Sequence, residues 1–262
     1  MSAAQDVSEL YARLDDHIRA ADKGELAVTD FLTPRELHYA EAYLKRQGVR
    51  FITFGGYDDA ERKKVYILPE YMDGVTDAAE LSDYGHGTGI GAVSVTTAGY
   101  RRLCHRDYLG SVLGLGLERQ TLGDIFVYGD GGERAVIFCN KRLEAFLEGE
   151  LLWVAREKVR CKAVEPCEVE IPERRLAPIN DTVASARVDC VVSALCSLSR
   201  DKARGAVEAG LVEVDFEPEE RPDKAIVAPC TVSVRGHGRF RVRSVEDKTK
   251  KGRYRLVAEK YL

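Results

Sequence analysis

Apolar residues recur at helical spacing from the start of the chain. Val7, Leu10, Leu14 and Ile18 predict an amphipathic helix over residues 3–21, stopped by Lys23-Gly24. Thr33-Pro34-Arg35-Glu36 then supplies coincident start signals: an N-cap hydroxyl, Pro at the first helical position and Glu three residues after the cap. That helix should run to about Gln47 and end at Gly48. Arg50–Phe54 and Val65–Leu68 read as strands around a Gly55-Gly56 turn, with Pro69 closing the second. Residues 73–91 read as a polar, Gly-rich connection.

Beyond Ile90 the pattern becomes regular. Strands are expected at Ile90–Thr96, Asp124–Tyr128, Arg134–Cys139 and Lys158–Val164, and helices at Arg106–Leu117 and Lys141–Val154. This β-α-β-β-α-β order is the ferredoxin-like arrangement that RNA-recognition domains share with many other proteins. Leu109, Val112, Leu113 and Leu117 give the first of these helices its buried stripe, and Asp130-Gly131-Gly132 a hairpin turn. Glu165–Pro178 carries three Pro and mixed charges and reads as a linker. Val188, Val191, Val192 and Leu195 then mark a short helix, and Ser199 caps another that Gly210 ends. Short strands at 211–215, 231–235, 240–245 and 253–258 complete the chain. The expected fold is α+β in three small domains. An N-terminal α/β unit spans 1–75, a central ferredoxin-like domain 76–166, a linker 167–184 and a C-terminal domain 185–262.

Charge is unevenly spread. The chain carries a net −4, yet from Arg187 onward 16 Lys and Arg face 12 Asp and Glu, and within 235–255 nine face two. A basic end on an acidic protein suits a polyanion, and a solvated basic surface would give the same count. Seven Cys without a Cys-x-x-Cys, a polar and acidic start and no long apolar run predict a cytoplasmic protein without a disulfide framework or a membrane span.

The candidate binding chemistry lies on the Ser199-capped helix. Arg200 and Arg204, four apart, share a helical face, and paired guanidiniums suit phosphate oxygens; ordinary pairing with Asp201 or Glu208 is the competing reading. Arg187, Ser199, Lys202, Arg235, Arg239, Arg241, Lys250 and Lys251 complete the expected RNA-binding set. The central strands offer a base-stacking surface only Phe138, so that domain would meet RNA through loops and phosphates or act as a scaffold. His105-Arg106-Asp107 lacks the Asn and glycine-rich loop of a kinase, and either fixes a turn or places a phosphate at a helix start. Gly85–Gly91 lacks the Lys-Ser/Thr of a phosphate loop and reads as a flexible loop. Five scattered His and the dispersed Cys build no metal set, and no nucleophile–base pair stands out, so neither a cofactor nor catalysis is expected.

Arg187-Val188-Asp189, Ser199-Arg200, Lys202-Ala203, Arg204, Val207 and Gly210–Val214 resemble the S4-type RNA-binding domain. Asp30–Glu36, Phe54–Tyr57, Ala60–Lys63, His105–Gly110, Gly114–Gly116, Arg119 and Gly123–Ile125 extend the likeness upstream. Together this ordered set resembles the YlmH family of bacterial S4-domain proteins. The resemblance implies an RNA-binding protein of the large ribosomal subunit that contacts ribosomal RNA and tRNA in quality control of stalled translation; a monomer is expected. The alternatives are an RNA-modifying enzyme tethered by the same module and a cell-division-linked adaptor that binds protein.

Overall fold

The computed structural model describes residues 3–173, 176–248 and 252–261, which form two compact units, 1–172 and 173–262. In the first unit α1 (Ala3–Ala21) and α2 (Pro34–Gln47) flank the two-residue β1 (Ala27–Val28), and β2 (Phe51–Phe54) and β3 (Lys64–Ile67) follow. The start signals of α2 act as expected. Thr33 Oγ1 accepts from the Glu36 N–H while Glu36 accepts from the Thr33 N–H, and Gly48 closes the helix with φ 69°.

The three strands pair antiparallel in the order β1-β3-β2. Val65 and Ile67 pack under the helices with Leu10, Leu14 and Leu44, whereas Tyr66 lies on the other face. Covering that other face is the segment expected to be a polar connection. Met72, Val75, Ala78 and Leu81, on and between two 3₁₀ turns, close over Ile52 and Tyr66. Its apolar residues are too few and too irregularly spaced to register as a helix or strand. The loop that follows is pinned as well, since Thr88 C=O accepts from Tyr66 Oη at 2.6 Å and Gly89 C=O accepts from the Lys141 N–H.

The second half of this unit is built from β4 (Ile90–Thr97), α3 (His105–Gly114), β5 (Leu122–Tyr128), β6 (Arg134–Asn140), α4 (Glu144–Glu150), β7 (Trp153–Val154) and β8 (Glu157–Val164). The strands form one antiparallel sheet in the order β5-β6-β4-β8-β7. Helix α4 is shorter than the spacing predicts. Leu147, Leu151 and Val154 are all buried, as a helix to 154 would have them, but Leu151 leaves the helical region and Ala155 takes φ 51° in a hairpin into β8. His105-Arg106-Asp107 opens α3 as a fixed turn: Asp107 accepts from the Cys104 N–H at 2.8 Å and so caps the helix.

Two networks join the halves of this unit. Asp124 on β5 accepts from Tyr57 Oη at 2.6 Å and from the backbone N–H groups of Glu61 and Arg62. Arg62, 7% exposed, donates to the carbonyls of Phe31, Leu122 and Arg119. Gly56 lies against Phe138 with φ 102°, where a Cβ would stand 2.6 Å from the ring.

In the second unit α5 (Val188–Leu195) and α6 (Arg200–Glu208) cover one face of an antiparallel sheet. Its strands are β9 (Leu176–Val183), β10 (Val212–Val214), β11 (Glu217–Pro218), β12 (Cys230–Val234), β13 (Gly238–Lys248) and β14 (Tyr254–Tyr261), in the order β11-β10-β12-β13-β14-β9. Strand β9 corrects the expectation of a linker over 167–184. Pro178 argues against a central strand, but β9 sits at the sheet edge, where proline is tolerated. Asp215 and Phe216, with φ of 49° and 67°, form the two-residue turn between β10 and β11, and Asp215 Oδ1 accepts from the Thr231 N–H.

Replacing Asp124 by Ala leaves two backbone donors and a tyrosine hydroxyl without their acceptor. The variant should lose about 2–4 kcal/mol of unfolding free energy, read by urea denaturation.

Candidate nucleic-acid interface

Two surfaces present cations in a pattern suited to phosphate. The first lies in the second unit, around Asp189 in the first turn of α5, which is only 3% exposed. Arg187, the N-cap residue, places Nε and Nη2 on its two oxygens at 3.1 and 3.0 Å, and Arg200 from the start of α6 adds Nη2 at 2.9 Å. Burial pushes the Asp189 carboxyl up, and the bonds from Arg187, Arg200 and Cys190 outweigh it, so its pKa lies below the usual 3.8. One carboxylate thereby fixes two guanidiniums whose side chains remain about half exposed. Arg187 keeps two N–H donors on its outer nitrogen side and Arg200 keeps most of its five, so both remain able to take a phosphate.

Ser199 caps α6 by accepting from the Lys202 N–H, and Lys202 is exposed without an ion pair among the described residues. Arg204 is spent differently from Arg200, pairing along the helix with Glu208 at 2.7 Å. The shared helical face expected for these two thus splits between a buried anchor and a surface pair.

The basic strand residues occupy another side. Phe240 and Val242 point to the helix-covered core, so by the two-residue period Arg239 and Arg241 lie on the opposite face of the sheet. There Arg239 stacks over Phe216 and Arg241 over Tyr261, each at 5.8 Å. Arg235 follows β12 and is exposed. The expected RNA-binding set is therefore divided by the sheet; Lys250 and Lys251 lie outside the described residues.

The second surface escaped the sequence reading. In the first unit, Phe138 is fully buried, and the sheet face around it is closed by Phe31, Tyr57, Val169 and Ile171. Base stacking on Phe138 is excluded by that cover. The same face stays open toward β8 and β7. Val159 and Cys161 turn into the helix-side core, so Lys158, Arg160 and Lys162 stand on the open face, exposed and without ion pairs among the described residues. Trp153 pairs in register with Lys158 and is 56% exposed, and Ser94 and Thr96 lie across from Lys162 and Arg160. Three cations at alternate positions beside an indole are a platform for phosphates and a stacked base. The alternating Lys158-Val-Arg160-Cys-Lys162 run is a legible signal, but Trp153 falls within the helix expected over Lys141–Val154 and stands instead on β7.

Among the described residues no three His, Cys, Asp or Glu cluster as a metal site, and no helix is long and apolar enough to cross a membrane. His105, whose imidazole is held below its usual range by burial and then by Arg119 against the pull of Asp124, belongs to the network around β5.

Asp189 also makes acid stability testable. Its folded pKa is depressed, so its contribution is present above the unfolded value and is lost as pH falls through the folded one. Asp189→Asn should therefore flatten the loss of thermal stability below about pH 4, measured as Tm across an acid series.

Residues 6–72 match a family model described as "YlmH, N-terminal", and residues 95–168 match one described as "Putative RNA-binding domain in YlmH". A Bacillus subtilis (strain 168) protein named ribosome-associated protein quality control protein P2 is 31% identical over 235 residues, covering 90% of this chain and 87% of the relative. The solved structure of cell division protein ylmH from Streptococcus pneumoniae superposes with a TM-score of 0.50 at 20% identity, over 63% of this chain and 93% of that one, and so shares its fold. The chain belongs to the YlmH family.

Proposed function

We propose that this protein is a non-catalytic RNA-binding factor of the ribosome that engages ribosomal RNA of the large subunit, and tRNA, in quality control of stalled translation. The observation that carries the reading is the pair of guanidiniums, Arg187 and Arg200, fixed on buried Asp189 with donors to spare. The open face of β8, inside the segment that matches the family's RNA-binding model, supports it with a second set of cations. The name of the Bacillus relative supplies the ribosomal context. On this reading the first unit, 1–172, holds an N-terminal α/β part followed by a ferredoxin-like part, and the second, 173–262, is an S4-type RNA-binding domain that includes β9, in a monomeric cytoplasmic protein.

Phosphate contacts would supply most of the affinity and make it steeply salt-dependent. The choice of variants follows from the geometry. Removing Arg187 and Arg200 together would leave a buried carboxylate unpaired, at a cost of about 3–5 kcal/mol in folding. Arg200→Ala with Lys202→Ala leaves Asp189 with Arg187 and should fold. This double variant should weaken ribosome co-sedimentation by about tenfold or more, and each lost phosphate contact should flatten the log-affinity against log-salt slope by about 0.7–0.9. Unchanged co-sedimentation of the folded variant would sink the proposal.

Trp153→Ala tests the second surface separately. It should cost about 1–3 kcal/mol of binding to RNA without altering thermal stability. Mass spectrometry of ribosomal and transfer RNA from a deletion strain addresses catalysis, and the modifications should all remain.

A further inference from the structure

The motif Asp30–Glu36 has no part in either RNA surface. It forms a wall of a cavity of about 540 Å³ in the first unit, between α1, the segment before α2, β3 and the end of β6. Leu10, Leu14, Val28 and Phe31 give this cavity an apolar lining, and its volume lies in the range of small-ligand sites.

Two buried polar groups face this cavity incompletely partnered, and a third cation stands at its rim. Lys64 is 6% exposed, yet among the described residues its ammonium makes no ion pair and only approaches the Phe31 ring, at 5.2 Å. Burial lowers its pKa, with Asp30 opposing and Arg142 adding to the effect. Asn140 is 5% exposed and donates from Nδ2 to Asp30 Oδ1 at 2.8 Å, which leaves its own Oδ1 buried without a partner. Arg142 on the rim is exposed and unpaired among the described residues. A buried orphan acceptor is costly, and the desolvation of the Lys64 ammonium, which Asp30 offsets only in part, adds to that cost. Both costs vanish if one molecule brings an anion to Lys64 and an N–H donor to Asn140.

We propose that this cavity is a nucleotide site, with the phosphate held by Lys64 and Arg142 and an N–H edge of the base donated to Asn140 Oδ1. Asn140 Oδ1 can only accept, so it reads an N–H donor on the base, while Nδ2 already gives one of its two hydrogens to Asp30. Asp30 beside it offers a second acceptor, so a base with adjacent donors, as on guanine, should bind best. The nucleotide can be a free small molecule or one residue of an RNA chain. The site shares no residue with the proposed ribosome-binding surfaces and stands apart from that function.

Isothermal titration of the full chain with the four ribonucleoside 5′-monophosphates, guanosine and inorganic phosphate tests the assignment. At least one monophosphate should bind at least tenfold more tightly than guanosine or phosphate alone. Arg142→Ala, an exposed change that leaves the core intact, and Lys64→Met, which replaces a buried charge by a similar apolar volume, should each weaken it about tenfold. Arg200→Ala should leave it unchanged, so failure of this site and failure of the ribosomal reading are separable. A hexaribonucleotide that binds in a Lys64-dependent way more tightly than any monophosphate would place the nucleotide within RNA. Preference for the free monophosphate would make it a small-molecule site. Binding of every nucleotide no tighter than inorganic phosphate, or binding indifferent to both variants, overturns the proposal.

Discussion

Arg62 and Asp124 carry the architecture of the first unit. The guanidinium, almost wholly enclosed, satisfies three carbonyls that come from before α2, from the turn ahead of β5 and from β5 itself. The carboxylate collects the tyrosine and backbone donors of the loop after β2. Neither group makes sense within one sheet; each is satisfied only when both sheets are present. Buried polar networks of this kind are costly when incomplete, and so they select one arrangement of the two halves over near alternatives. The covered sheet face around Phe138 and the cavity lined by Lys64 both follow from that arrangement.

The same constraint explains where nucleic acid can and cannot be met. A β-α-β-β-α-β sheet has one face free of helices, and in many RNA-recognition domains that whole face is available. Here half of it serves as internal packing for Tyr57, Phe31 and the segment carrying Val169 and Ile171. What remains is the strip along β8 and β7. The added hairpin strand extends the sheet on its open side, so the indole of Trp153 stands where the packed half leaves no aromatic exposed.

Local signals made the regular elements readable: the capping box of α2, the periodic valines of α5 and the Ser199 cap lie close to where they were expected. Elements defined by their neighbours were not readable. Strand β9 carries a proline that only an edge position permits, and the chain around Met72 and Leu81 acquires a core role only because β3 has two faces to cover. At the candidate interface, Arg187 and Arg200 were legible as basic residues, but their common anchor was not. Asp189 and Arg200 are separated by a helix and a turn, and the bond between them is a product of packing α5 on α6. The division of Arg200 from Arg239 and Arg241 was written in the alternation of β13, which the charge count ignored.

The edge position of β9 has a consequence for how the second unit can be handled alone. Strand β14 pairs with β9 over eight residues, from Tyr254 with Val183 to Tyr261 with Leu176. A fragment begun at the start of α5 would lack that partner and expose a long row of unpaired backbone donors and acceptors along β14. Such an edge is a template for strand addition by another copy, so the fragment would self-associate. A fragment that retains β9 ends its sheet on the strand carrying Pro178, whose missing N–H makes a poor template. The short stretch before α5 thus keeps the second unit from joining its own kind.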